Sequence, residues 1–134
     1  MTLSRNKEQE IAMEAIYTAL TYLHMNVDFQ VQDILSDLTD IPFEELDLYL
    51  KEVVVKALSH RKEIIDIVSP HLNNWTFERL NRCAQSILLL SVAHGKFVGG
   101  TEKPIIIDTA VRLAKKYLDD GDYKFINAVL DQIL

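Results

Sequence analysis

Residues Lys103 to Leu134 read KPIIIDTAVRLAKKYLDDGDYKFINAVLDQIL. Apolar residues recur here at helical spacing, with Ile107, Ala110, Val111, Ala114 and Tyr117 expected on the inward face of one helix and Ile126, Val129, Leu130 and Ile133 on that of a second. Pro104 suits a first helical turn, and Asp119-Asp120-Gly121 suits a turn between the two, with Asp122 expected to cap the second. The short cluster Lys124-Phe125-Ile126-Asn127 adds an aromatic ring and two polar side chains that a plain core helix does not need.

Across the rest of the chain, almost every segment has a helical period and almost none alternates with period two. From Arg5 to His24, Ile11, Ala12, Ala15, Ile16, Ala19, Leu20 and Leu23 form one apolar stripe. A short helix is expected at Val31–Leu38. Another should start at Pro42, with Glu44 and Glu45 in its first turn and Leu46, Leu50, Val53, Val54, Ala57 and Leu58 inside; Val53-Val54-Val55 is read as a buried helix face. Glu63–Leu72 should be helical, and Asn73-Asn74 a turn, with Thr76 as the next N-cap. Ile87-Leu88-Leu89-Leu90 is the most apolar run, so its helix should be central and end near Gly95. The expected fold is all-α: one domain over 1–134, a bundle of about seven helices.

The 134 residues suffice for a real core. At 49% apolar and 25% charged, the composition is that of a globular protein. The net charge of −6 argues against a general nucleic-acid coat. Charge is unevenly placed, however. Residues 25–52 carry eight acids against Lys51, whereas residues 53–103 carry seven bases against four acids. An anionic partner would prefer the second half, and the acidic stretch suits a solvated face. Cys83 alone excludes an internal disulfide and reads as a small buried hydrophobe. The first residues are followed by charge, and no apolar run approaches the ~20 residues that span a bilayer, so a cytoplasmic location and no membrane are expected.

Catalytic chemistry is not legible. His24, His60, His71 and His94 are scattered, none paired with a cysteine or with another histidine at helical spacing, so no metal is expected. His94 reads as a residue at a helix C-terminus, complementing the dipole. Gly99-Gly100 lacks the Lys-Ser/Thr sequel of a phosphate loop, and Asp119-Asp120-Gly121-Asp122 lacks the ligand ladder of a calcium loop. The chain reads as a binding module, neither an enzyme nor a cofactor carrier.

The segments HLNNWTFERL (His71–Leu80), Ala110-Val111, Leu113-Ala114-Lys115, Lys124-Phe125-Ile126-Asn127 and Val129-Leu130-Asp131 resemble the NusB family in order and spacing, as do Ala12, Ala15 and Tyr17 in the first helix. The resemblance implies a helical transcription antitermination factor. Such a protein pairs with NusE, a small-subunit ribosomal protein, binds boxA RNA with it, and rides with the RNA polymerase elongation complex at ribosomal RNA operons. It implies RNA contacts at Arg5, Lys7, Lys124, Phe125 and Asn127, and partner contacts at Tyr17 and Ala84. Phe125 would stack on an unpaired base, Lys124, Arg5 and Lys7 would meet phosphates, and Asn127 would hydrogen-bond a base edge or the backbone. From the residues alone, Phe125 fits a core position, Tyr17 a half-buried one, Lys124 a solvated lysine and Asn127 a local helix-end partner.

Several charged positions depart from the family pattern. Its arginine-rich start is here Arg5-Asn6-Lys7-Glu8-Gln9. The acid it uses toward NusE is Ala84, a central arginine is Leu89, and a later glutamate is Arg112. Two explanations compete: a lineage whose NusE and boxA have changed too, or a NusB-fold interaction module that has lost RNA binding. Leu89 either widens the core or leaves an apolar patch, and an exposed Leu89 would favour a homodimer.

Overall fold

The computed structural model describes residues 3–134. Among them are seven α-helices and no strand: α1 (Arg5–His24), α2 (Val31–Thr39), α3 (Leu48–Ser59), α4 (Arg61–Val68), α5 (Arg82–Ala93), α6 (Lys103–Tyr117) and α7 (Asp122–Ile133). None of these helices is long and apolar enough to cross a membrane.

Helix α5 is the axis. From Ser86 to Ala93 every residue is buried, because α1, α3, α4, α6 and α7 all pack on it. A helix apolar on all sides is stable only when surrounded in this way. Its two buried hydroxyls turn back on their own helix, Ser86 Oγ donating to Arg82 O at 2.8 Å and Ser91 Oγ to Ile87 O at 2.7 Å, so neither is left unsatisfied. Helix α1 lays Ile11, Ala12, Ala15, Ile16 and Ala19 into the core as expected. Ser4 starts it, its Oγ accepting from Lys7 N at 3.1 Å.

Leu89 is fully buried. It widens the core, and the apolar patch that would have favoured a dimer does not form there. Val53 and Val54 are buried but Val55 is exposed, since three consecutive helical residues cannot share a face. In α6 the inward residues are Ile106, Ala110, Leu113 and Ala114. Ile107, Val111 and Tyr117 stand at the margin, the apolar stripe being rotated by about one residue from the expected one.

Helix starts differ most from expectation. After Pro42 comes a 3-10 turn, Phe43–Glu45, and α3 begins only at Leu48. Glu44 and Glu45 therefore lie outside it. The segment expected as a helix over 63–72 is α4 followed by a 3-10 turn, Ser69–His71, around Pro70. Thr76 precedes another 3-10 turn, Phe77–Arg79, and makes no side-chain cap. The cap of α5 is Asn81, whose Oδ1 accepts from Cys83 N at 2.7 Å. Asp122 is the first residue of α7 and caps nothing; Gly121 holds the cap position at φ +91, a left-handed backbone that glycine adopts without a Cβ penalty.

Helix α5 runs on into a π-helical turn, His94–Val98. Lys56 Nζ donates to Phe97 O at 2.7 Å, and the His60 ring stacks on Phe97 at 4.1 Å, tying that turn to α3. His94 is buried beside Tyr49 and hydrogen-bonds Thr101 Oγ1 through Nε2 at 3.0 Å. Burial, and then the charge of Arg5, push its pKa below the ordinary histidine range. It is neutral at pH 7 and does not complement a helix dipole.

Candidate functional site

Two open grooves flank the first turn of α5. The larger, about 350 Å³, has Leu72, Leu80, Ala84 and Leu118 as its apolar lining. Trp75 and Phe125 supply aromatic rings, and Asn73, Asn81 and Asp122 the polar atoms. The smaller, about 310 Å³, is bounded by Met13, Tyr17, Leu38, Cys83 and Tyr117 with Glu14 and Thr18. Cys83 and Ala84 are adjacent in sequence, so the helix turn that carries them divides the two grooves.

This arrangement brings Phe125 and Ala84 into one groove and sets Tyr17 in the next. Phe125 is half-buried, with its ring in the groove rather than wholly in the core. Tyr17 is 39% exposed, with the Arg82 guanidinium 5.7 Å from its ring centroid and Arg82 Nη1 donating to Thr21 Oγ1 at 3.1 Å. Cys83 is partly buried at the groove wall rather than in the core, and desolvation raises its thiol pKa.

Lys124 and Asn127 are both exposed. Three residues apart on α7, they share a face with each other and not with Phe125. The basic N-terminus is separate again. Arg5 reaches α3, where its guanidinium covers the Tyr49 ring and Nη2 lies 3.7 Å from Asp47. Lys7 is exposed. Among the described residues, no hydrogen bond or ion pair joins Arg5 or Lys7 to Phe125.

The α1–α6 contact is polar. Arg112 donates to Gln9 Oε1, Lys116 Nζ to Glu10 Oε1 at 2.8 Å, and Tyr117 Oη to Glu14 Oε1 at 3.2 Å. The hydrogen bond from Lys116 holds the Glu10 carboxyl below its ordinary range. The acids of residues 25–52 are exposed except the half-buried Glu52, as a solvated face requires.

Trp75, Asn81, Leu118 and Asp122 were not legible as site residues. Their one sequence signal is a lone tryptophan set beside the polar turn Asn73-Asn74, where burial is hard to arrange. Among the described residues no group of His, Cys, Asp and Glu is placed to hold a metal ion.

These features define an all-α bundle with aromatic grooves on either side of its central helix. The family model for the NusB family matches residues 6–134, and the chain belongs to that family. It is 34% identical over 132 residues to the transcription antitermination protein NusB of Macrococcus caseolyticus, covering 98% of this chain and 97% of that protein. It is 35% identical over 136 residues to that of Ligilactobacillus salivarius, covering 100% of both. Among solved structures, T. maritima NusB superposes with a TM-score of 0.81 at 24% identity, covering 99% of this chain and 92% of that one. A structure of the antitermination factors NusB and NusE in complex with dsRNA superposes at 0.77 and 25% identity, covering 96% and 94%.

Proposed function

We propose that this chain is a transcription antitermination factor that binds boxA-containing single-stranded RNA together with NusE and joins the RNA polymerase elongation complex at ribosomal RNA operons. It works in the cytoplasm as one NusB-like domain over 1–134, by binding and without a catalytic step. Phe125 stacks on an unpaired base, Lys124 and Lys7 meet phosphates, and Asn127 hydrogen-bonds the strand beside Lys124. Tyr17 and Ala84 face NusE. The supporting observation is the groove that sets the Phe125 ring beside Ala84 at the start of α5. Exposed rings are what a single strand needs, because every base has a face to stack.

Arg5 favours a second reading, a protein-interaction module without RNA binding, because this cation is already engaged by Tyr49, Glu8 and Asp47. One experiment separates the two. Binding of boxA single-stranded RNA is measured with and without NusE at two salt concentrations. The expected result is tight, NusE-dependent binding that Phe125→Ala weakens by roughly 1–3 kcal/mol. A folded protein that binds NusE but no RNA would establish the second reading instead.

A further inference from the structure

Trp75 is the chain's single tryptophan, and it is 58% exposed. Its position is set by a turn. Asn73 takes a left-handed φ of 57°, a conformation asparagine tolerates, and Trp75 N donates to Leu72 O at 3.1 Å. The ring therefore borders the groove that Phe125 enters from α7.

The chemistry of that groove selects its occupant. Its lining is largely apolar and includes two aromatic residues, yet no lysine or arginine lines it. A phosphate has nothing to pair with there, and the Asp122 carboxylate would repel it. A neutral planar base fits both features, because its faces stack on rings while its edge meets polar atoms. Asp122 accepts from ring N–H or exocyclic amino groups. Asn81 spends its Oδ1 on the cap of α5, which leaves its amide hydrogens as donors for a base carbonyl or ring nitrogen. Ala84 ends at Cβ, so the floor stays open. At about 350 Å³ the space is at the low end of ordinary ligand sites, which run to roughly 1,000 Å³.

We propose that this groove holds one unpaired RNA base between Trp75 and Phe125, so that Trp75 is a second stacking residue of the RNA site. The proposal rests on the RNA-binding reading above and adds to it a residue and a pocket.

Because Trp75 is the only tryptophan, its fluorescence reports the groove directly. The full chain with NusE is titrated with boxA single-stranded RNA, and the Trp75→Phe protein serves as the blank for any signal from NusE. Quenching should saturate along the same curve as RNA anisotropy. Replacing one base at a time by an abasic site should restore the fluorescence at one position. Trp75→Ala should weaken RNA binding by about 5- to 100-fold, and Trp75→Phe should retain most of it. Circular dichroism and melting check that the variants fold, and Trp75, being exposed, tolerates change without core disruption. Full-strength RNA binding with no quenching and no effect of Trp75→Ala would overturn the proposal and leave the antitermination reading intact. If Trp75→Ala instead weakens NusE binding in the absence of RNA and leaves RNA binding unchanged, the groove belongs to a protein and the proposal fails. Absence of RNA binding by the folded protein, even with NusE, would overturn both.

Discussion

Arg5 holds its guanidinium 3.9 Å from the centroid of the Tyr49 ring, and Tyr49 in turn meets His94 edge-on at 5.2 Å. The same guanidinium reaches Glu8 at 3.2 Å and Asp47 at 3.7 Å. The start of α1 is thereby fastened to α3 by the cation that the family resemblance assigns to RNA.

Arg5 and Lys7 should therefore separate in their effects. Arg5→Ala should lower stability by about 0.5–1 kcal/mol, the worth of an exposed cation–π contact. The loss should grow as pH rises through the carboxylate range. Burial, and then Asp47, raise the Glu8 carboxyl, and Arg5 opposes them, so the variant leaves a buried charge without its cation. Lys7→Ala should leave stability unchanged and reduce the slope of log K against log salt by about 0.7, as loss of one single-strand phosphate contact does. Urea melts and salt titrations read the two.

Leu89→Ala should cost about 2–5 kcal/mol, because the side chain is fully enclosed on the central helix and its loss leaves a cavity. Urea unfolding monitored by helical circular dichroism measures it. A cost near zero would mean that Leu89 is at a surface.

Acid should weaken the fold through His94. Its folded pKa lies below 6.5, so below that pH the unfolded chain binds a proton that the folded chain refuses. The contribution is complete above about 6.5 and is lost as pH falls toward the lowered folded value. His94→Gln should flatten the pH dependence of the urea midpoint below about 6.5. Persistence of the full slope in the variant would assign it to other groups.

Arg112→Ala should cost about 1–3 kcal/mol, because it leaves the buried Gln9 carbonyl oxygen without its donor. Arg112→Lys should recover part of this. The comparison of urea midpoints for the two variants decides whether the α1–α6 contact depends on that bond.

Much of the fold was legible because it follows from spacing along one helix. The α1 stripe, the burial of α5, the helix at α2 and the hairpin of α6 and α7 each need only the 3.6-residue period and the positions of Gly and Pro. Helix starts were less legible, because Thr76 and Pro42 carry the right chemistry for a cap but 3-10 turns intervene. The choice between a tight turn and a first helical turn depends on where the following helix must dock. Val55 and Ile107 lie outside the core for a related reason: neighbouring residues in an apolar run differ by about 100° around a helix, and only the packing partners select which faces in.

Periodicity and motif order along the chain suffice to specify an all-helical member of the NusB family with Phe125, Lys124 and Asn127 grouped on one segment. Local periodicity and motif order are properties of the chain read in one dimension. Packing of the helices supplies the remaining relations. It set Phe125 in one groove with Trp75 and Ala84, placed Lys124 and Asn127 on another face, engaged Arg5 at Tyr49 and enclosed Leu89 in the core. Those relations join residues far apart in the chain, and they exist only once α5 has been surrounded and the desolvation of its neighbours has fixed which side chains remain in water.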